Sequence, residues 1–586
     1  MAARAIESVD KGDLKIVPEF HKATWRRWLT DPHQWCISRQ LWWGHRIPAY
    51  LVKVQGIETA EEVWVVGHTE EEALENAVKK VNVDKNKITL VQDEDVLDTW
   101  FSSGLFPMSV FGWPKSSNEL DAFFPGTLLE TGNDILFFWV ARMVMMSQTL
   151  TGKLPFETVY LHAIVRDRYG RKMSKSLGNI IDPISVIEGV TLDQLHDILR
   201  NGNLPEKEVE KAIAGQKLDY PEGIPQCGAD ALRFGLLANI TQGQDINLDI
   251  NNVAAYRRFC NKLWQVTRFC LGVCGNDLQP IPDFVEKVRI NPDALPLALR
   301  DRWILSELAS LVKTCEIGFK SYIFADITFA LIQFWTSKLC DIYVESIKPV
   351  IYKKNPTKDD ELAIKMAKNT LLVCLDYGLR LMHPLMPFVT EELWQRLPGR
   401  TSSSPESIMI APYPTPEDVN GLESEHALNA LNLASDISQK MRSLRADYNI
   451  TGKTVQFYLT VDAKRKGTVE DTKIDIEVLG SGIVNVLDEG SEPPKGCSMA
   501  IVDGFLHVHI FLKGAVDAQA QVKKLQKEYD AAEKSLQSTN KKLSNTKFTD
   551  SAPAQVLEDT QIKAADLEAK LGKLRDQIEE FKQLMD

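Results

Sequence analysis

The chain alternates between two hydrophobic periods, and the changes of period divide it. The first third carries apolar runs about four to eight residues long, the length of buried strands. They are Leu14 to Val17, IPAYLVKV ending at Val54, EEVWVV ending at Val66, ITLVQ at 88–92, FFPGTLLETG from Phe123, and VYLHAIV from Val159 to Val165. Helical spacing falls between them, in a short amphipathic piece ending at Leu29, in EEEALENAVKKV at 70–81, and in ILFFWVARMVMM from Ile135 to Met146. Strands alternating with helices predict an α/β region. A short helix pair, LDQLHDILRNG and EKEVEKAIAGQ, follows within 191–223.

From Asp301 to about 450 the strands stop. Leu305, Leu308, Val312, Cys315 and Phe319 form one stripe, and Ile327, Leu331, Phe334, Trp335, Leu339 and Ile342 another. HPLMPFVTEELWQRL begins a further helix, with Thr390 as its expected cap. Several amphipathic helices without strands predict a bundle. VQFYLTV and FLHVHIFL then mark a small α/β unit. From Val522 the pattern is heptad-like (Leu525, Tyr529, Ala532, Leu536, Leu543), breaks, and resumes through Leu567, Leu571, Leu574, Ile578 and Phe581. Two such helices joined by about ten residues predict an antiparallel coiled-coil hairpin. The expected segments are 1–30, 31–186, 187–300, 301–450, 451–515 and 516–586.

Composition adds limits. A chain of 586 residues exceeds one core, and 44% apolar with 25% charged residues is ordinary for a soluble protein. No apolar run approaches the ~18 residues of a membrane span. Nine cysteines without a C-x-x-C pair favour a reducing compartment and give no zinc framework. Glu7, Asp10 and Asp13 directly after Arg4 argue against a transit peptide, so a cytosolic protein is expected. The net charge of −12 does not advertise nucleic-acid binding, but Ala518 to Lys547 holds seven Lys against three acids. A local basic face on an acidic protein can still hold RNA.

Five stretches carry candidate chemistry. RKMSKSLGN, from Arg171 to Asn179, sets Lys172 and Lys175 on a loop beyond a strand end, which suits a polyphosphate whose charge grows during reaction; a solvated basic turn is the plainer alternative. At TGND, a strand end meets a helix start, where nucleotides bind in open α/β sheets. Gly132 there admits a close ligand, and Asp134 offers either a ribose acceptor or a plain N-cap. Trp43, in WWGH, is read on its own as packing. Asp93, Glu94, Asp95 and Asp98 lack the His or spaced ligands of a metal site and read as an acidic loop capped by Asp98. Lys440, Arg442 and Arg445 form a basic edge, either solvated or facing phosphates.

The order KMSKS, with ISRQLWWGHRIP, TGNDILFFW, CGADALRFGLL, DRWIL and RSLRADYNI, resembles the valyl branch of the class I aminoacyl-tRNA synthetases. The resemblance implies a Rossmann-like partial catalytic domain at 31–186, preceded by the exit from an editing insertion. A stem with an insertion, an anticodon-binding bundle, a small junction and a tRNA-binding arm would follow. It implies ATP-dependent activation of valine and its attachment to tRNA(Val), with Mg2+ arriving with ATP and no structural metal, DNA or membrane. Lys172 and Lys175 would be catalytic and hold the pyrophosphate side, in an ATP-binding loop with Met173, Ser174 and Ser176. Gly132 and Asp134 would hold adenosine, and Trp43, Ile135 and Trp139 valine. Lys440, Arg442, Arg445, Lys523, Lys524 and Lys527 would meet tRNA. Asn133 departs from the His or Tyr usual in the family. No H-x-G-H occurs, so the expectation is an incomplete stand-alone catalyst that needs a missing N-terminal half or a protein partner. The alternatives are a non-catalytic tRNA-binding paralogue and a truncated gene.

Overall fold

The computed structural model describes residues 1–586 except 33, 57–60, 175–176, 241–243, 276–277, 401–403, 451–453, 514–517, 545–553 and 584–586. It contains two units, Met1–Ala254 with Ser321–Ala325, and Ala255–Lys320 with Asp326–Asp586.

The first unit is organised on a parallel sheet in which Phe156–His162 is central, Lys15–Val17 lies on one side and Gly126–Gly132 on the other. Parallel strands require cover on both faces, which is why Val159, Tyr160 and Leu161 are consecutive and all buried. Residues 1–30 pack into the core of this unit. Ala5 and Val9 of helix Ala2–Asp10, Leu14, Ile16, and Trp25 and Leu29 of helix His21–Thr30 share one core with Val140, Met143, Val159 and Leu161. The wording of this stretch hides its role because its strand is only three residues long. The sheet Val63–Val66, Ala49–Val54, Ile88–Gln92 is antiparallel and is covered by helix Glu70–Val81, with Tyr50, Val52, Val65, Ala73 and Ala77 as its core. The helix pair lies at Leu192–Arg200 and Glu206–Asp219.

The second unit is dominated by the helices Leu299–Ser321, Lys358–Met382 and Glu425–Asp447, with a π-wound stretch Phe334–Val344. Trp303, Trp335 and Tyr343 are buried, and Gly378 makes room for Trp335, because a Cβ there would lie 2.7 Å from its Cζ2. Thr390 does not cap a helix. It lies inside Pro387–Trp394, wholly buried, with its hydroxyl donating to the Met386 carbonyl at 2.7 Å; Pro at the first helical position supplies the start instead.

Burial raises the Asp301 carboxyl above its ordinary value, although Tyr343 Oη donates to it at 2.7 Å and the Ala298 amide at 3.1 Å. A raised folded value means that this group favours folding below about pH 4, its unfolded range, and that the contribution is lost as pH rises through the folded value. Asp301→Asn should therefore flatten the fall in bundle stability as pH rises above about 4, read by urea melts. An unchanged slope would contradict this assignment.

A mixed sheet follows in the order Ile483–Leu487, Gln456–Val461, Leu506–Phe511, Cys497–Asp503. Helices Ala518–Leu543 and Ala554–Gln583 pack on each other, burying Ala532, Thr539, Ala564, Leu574 and Ile578. The side chains of Lys524 and Phe581 lie outside the described residues. No helix among the described residues is long and apolar enough to cross a membrane.

Candidate active site

Gly132 and His162 are register partners, so two neighbouring parallel strands finish at one sheet edge. The chain leaves Gly132 into a tight turn, Asn133–Ile135, then a π-wound turn, Leu136–Ala141, before helix Arg142–Leu150. A helical start leaves amides without intrahelical partners, and π turns of this kind recur at functional sites. Gly132 is required by a close approach rather than by its φ. A Cβ there would lie 2.7 Å from Asp134 Oδ1 and 3.7 Å from His162 Cε1, so a larger residue would push the Asp134 carboxylate aside. Asp134 is exposed and makes no cap, which leaves its acceptors available to a ligand. His162 is held by the Ala163 carbonyl at 2.9 Å and by Glu130 at 3.3 Å.

The strand end continues through Val165–Asp167, paired in parallel with Ile246–Leu248, into the lysine loop. Asp167 is the anchor of that loop. It is 2% exposed and accepts from the Tyr169 amide at 3.0 Å, the Arg171 amide at 2.8 Å, Arg171 Nε at 2.6 Å and Asn179 Nδ2 at 3.0 Å. Burial alone would raise this carboxyl; the hydrogen bonds from Asn179 and from Arg171 and Tyr169 hold it below the usual carboxylate range. Asn179, fully buried, closes the far limb by accepting from the Ser174 amide at 2.9 Å and donating to the Lys172 carbonyl at 3.3 Å. Lys172 projects to solvent, with Met173 and Ser174 half-buried, while Lys175 and Ser176 lie outside the described residues.

The remaining candidates divide. Trp139 is half-buried and donates to the Ser103 carbonyl at 3.3 Å, and Ile135 is half-buried on the same helical start. Trp43 is 87% exposed beside a fully exposed Trp42, so its ring is open to solvent. Arg442 Nη1 donates to the Leu479 carbonyl at 2.7 Å and Arg445 Nη1 to the Ser481 carbonyl at 2.8 Å, both at the end of helix Lys473–Gly480. One nitrogen of each guanidinium is thus engaged within the chain. Lys440 is half-buried, whereas Lys523 and Lys527 are exposed. Among the described residues no group of three or more His, Cys, Asp or Glu is placed to hold a metal ion.

Three groups stay hidden in the sequence. Asp167 reads there as a strand breaker, and Asn179 as the end of a motif. Asp98 does accept from the Trp100 amide at 3.4 Å, as a cap should, but it also binds Arg39 at 2.8 Å, Trp35 Nε1 at 2.8 Å and Arg142 at 3.4 Å. Those partners are 44 to 63 residues away, and no local pattern reports them.

Comparison with known proteins identifies the family. Residues 1–249 match the family described as tRNA synthetases class I (I, L, M and V), residues 301–460 the anticodon-binding domain of tRNA ligase, and residues 517–582 the valyl tRNA synthetase tRNA binding arm. The valine--tRNA ligase of Rattus norvegicus is 48% identical over the whole chain and that of Homo sapiens 47%, each covered over 46% of its own length. A mitochondrial valine--tRNA ligase of Rattus norvegicus is 42% identical, covered over 54%. A Mycobacterium tuberculosis methionyl-tRNA synthetase in complex with methionyl-adenylate aligns over 70% of this chain and 67% of its own, with 16% identity and a TM-score of 0.43. The chain spans about half the length of the curated relatives it matches. With three successive segments and the full-length identity in agreement, the chain belongs to the class I aminoacyl-tRNA synthetases, in the valyl branch.

Proposed function

We propose that this chain carries the pyrophosphate-side part of a valine--tRNA ligase. ATP lies along the sheet edge, its adenosine at Gly132 and Asp134 and its β- and γ-phosphates at the lysine loop, with Mg2+ bound to the nucleotide. The valine carboxylate attacks the α-phosphorus, forming valyl-adenylate and releasing pyrophosphate; the acyl group then passes to the 3′ end of tRNA(Val). Lys172 and Lys175 stabilise the charge that grows on the departing diphosphate. Ile135, Trp139 and Trp43 line the valine side chain. The bundle meets the anticodon stem, and the last two helices form a coiled-coil arm along the tRNA body. A cytosolic setting is favoured by the higher identity to the rat enzyme without a mitochondrial designation, 48% against 42%.

The observation that carries this reading is the bracing of the lysine loop beside a strand end, through Asp167 and Asn179. A second reading, a tRNA-binding protein without adenylate chemistry, is favoured by the exposure of Trp42 and Trp43. Valine-dependent ATP–pyrophosphate exchange, run beside tRNA binding, separates the two. Exchange supports the enzyme; tRNA binding with no exchange supports the second reading. For the arm, Lys523→Glu with Lys527→Glu should weaken tRNA binding and make the slope of log K against log salt shallower, by about one for each phosphate no longer neutralised. An unchanged slope would remove these lysines from the tRNA interface.

A further inference from the structure

The inserted helix pair Leu192–Arg200 and Glu206–Asp219 is tied directly to the lysine loop. Asp219, with its side chain only 6% exposed, accepts from Arg171 Nη2 at 2.9 Å and from Arg168 Nη2 at 3.4 Å. Arg171 directly precedes Lys172 and also donates through Nε to Asp167 at 2.6 Å, so one guanidinium bridges the strand-end carboxylate and the inserted helix. On the far limb the backbones nearly touch. A Cβ on Gly178, which has φ +66°, would lie 2.5 Å from the Ala212 carbonyl oxygen, and one on Gly215 would lie 2.8 Å from that of Leu177. Both limbs of the loop thus rest on the same helix, one through a buried ion pair and one through main-chain contact.

We propose that helix Glu206–Asp219 is a clamp on the lysine loop, with Asp219 as a positioning residue that, through Arg171, sets where the adjacent Lys172 stands relative to the phosphates. The proposal rests on the nucleotide reading only for its effect on phosphate binding. A planar, always-charged guanidinium shared by two buried carboxylates fixes orientation as well as proximity, which a surface pair does not. Replacing Asp219 leaves Arg171 anchored by Asp167 and by the Tyr169 ring 4.9 Å from its guanidinium, so the loop gains freedom while its root remains in place.

The test uses the full chain and two readouts. Amide hydrogen exchange is followed at Arg171 and Ser174, whose N–H groups are bonded to Asp167 and Asn179, and at the central strand Phe156–His162 as a control. Asp219→Ala should speed exchange at the two loop amides by roughly ten- to a hundredfold and leave the strand unchanged. The isosteric Asp219→Asn, which keeps the helix packed, should give the same change in smaller degree, and Asp219→Glu should restore most of the protection. Affinity for inorganic pyrophosphate should fall several-fold in Asp219→Ala and return in Asp219→Glu. Unaltered loop exchange in both Asp219→Ala and Asp219→Asn, or speeding of strand and loop together in Asp219→Asn, would overturn the clamp. If the unsubstituted chain fails to bind pyrophosphate, the nucleotide reading falls, while the exchange result still decides the clamp.

Discussion

On the proposed function, converting Lys172 and Lys175 together to alanine is expected to lower valine-dependent ATP–pyrophosphate exchange, measured with any N-terminal half the reaction requires, by at least about 100- to 1000-fold, equivalent to about 2.7–4 kcal/mol of transition-state stabilisation. The size follows from the chemistry. Breaking the bond between the α-phosphorus and the bridging oxygen moves charge onto the diphosphate, and a fixed ammonium meets that charge without reorganising at the moment of reaction. Lys172 projects to solvent from a loop whose shape is set by Asp167 and Asn179, not by the lysine itself. Its removal should therefore change folding stability by less than about 0.5 kcal/mol, as for other surface positions. Lysine-to-arginine changes at the same sites should recover only part of the rate, because a planar fork does not replace a compact point charge. Full exchange in the double alanine variant, or a loss matched by unfolding, would remove the lysines from the mechanism.

Asp98→Ala should be among the most destabilising single changes in the first unit, costing about 3–5 kcal/mol in urea melts. Asp98 is 5% exposed and Arg142 7%, and the Arg142 guanidinium also lies 3.7 Å above the Trp35 ring. Burial pushes the Arg142 guanidinium below its ordinary value even with Asp98 beside it, so the carboxylate is what makes this buried charge tolerable. Deleting it also strands the Trp35 indole N–H and one face of Arg39. Asp98→Asn keeps an acceptor but not the charge and should cost about 1–3 kcal/mol. Pairing Asp98→Ala with Arg142→Met should recover much of the stability, since a buried ion pair replaced whole by apolar groups is often neutral. A cost below about 1 kcal/mol for Asp98→Ala would show that water reaches Arg142.

These two sites also mark what the sequence makes legible. The lysine loop is local: its chemistry-bearing residues are adjacent in the chain and sit just beyond a readable strand. The strands Gly126–Gly132 and Phe156–His162, the helix Glu70–Val81 and the bundle stripes are legible for the same reason, since each follows from a period within a dozen residues. Long-range partnership is not legible. Asp98 reads as a cap because its nearest bond is two residues away, while its ion partners are dozens of residues away. Asp219 lies beyond the end of the readable helix EKEVEKAIAGQ, and no local pattern places Arg171 against it. The three-residue strand Lys15–Val17 is too short to announce a sheet, and only its pairing with Phe156–His162 reveals that residues 1–30 belong to the core. Arg442 and Arg445, grouped by charge, serve the end of a neighbouring helix, a contact no charge count contains.

The central claim is that the strand end and the lysine loop hold opposite ends of one nucleotide. Calorimetric titration of the chain with ATP and, separately, with adenosine tests it most directly when Asp134→Ala and Lys172→Ala are compared. The account predicts that Asp134→Ala weakens both ligands, whereas Lys172→Ala weakens ATP by about tenfold, roughly 1.4 kcal/mol, and leaves adenosine unchanged. Equal weakening of both ligands by Lys172→Ala, or ATP affinity indifferent to that change, would contradict it.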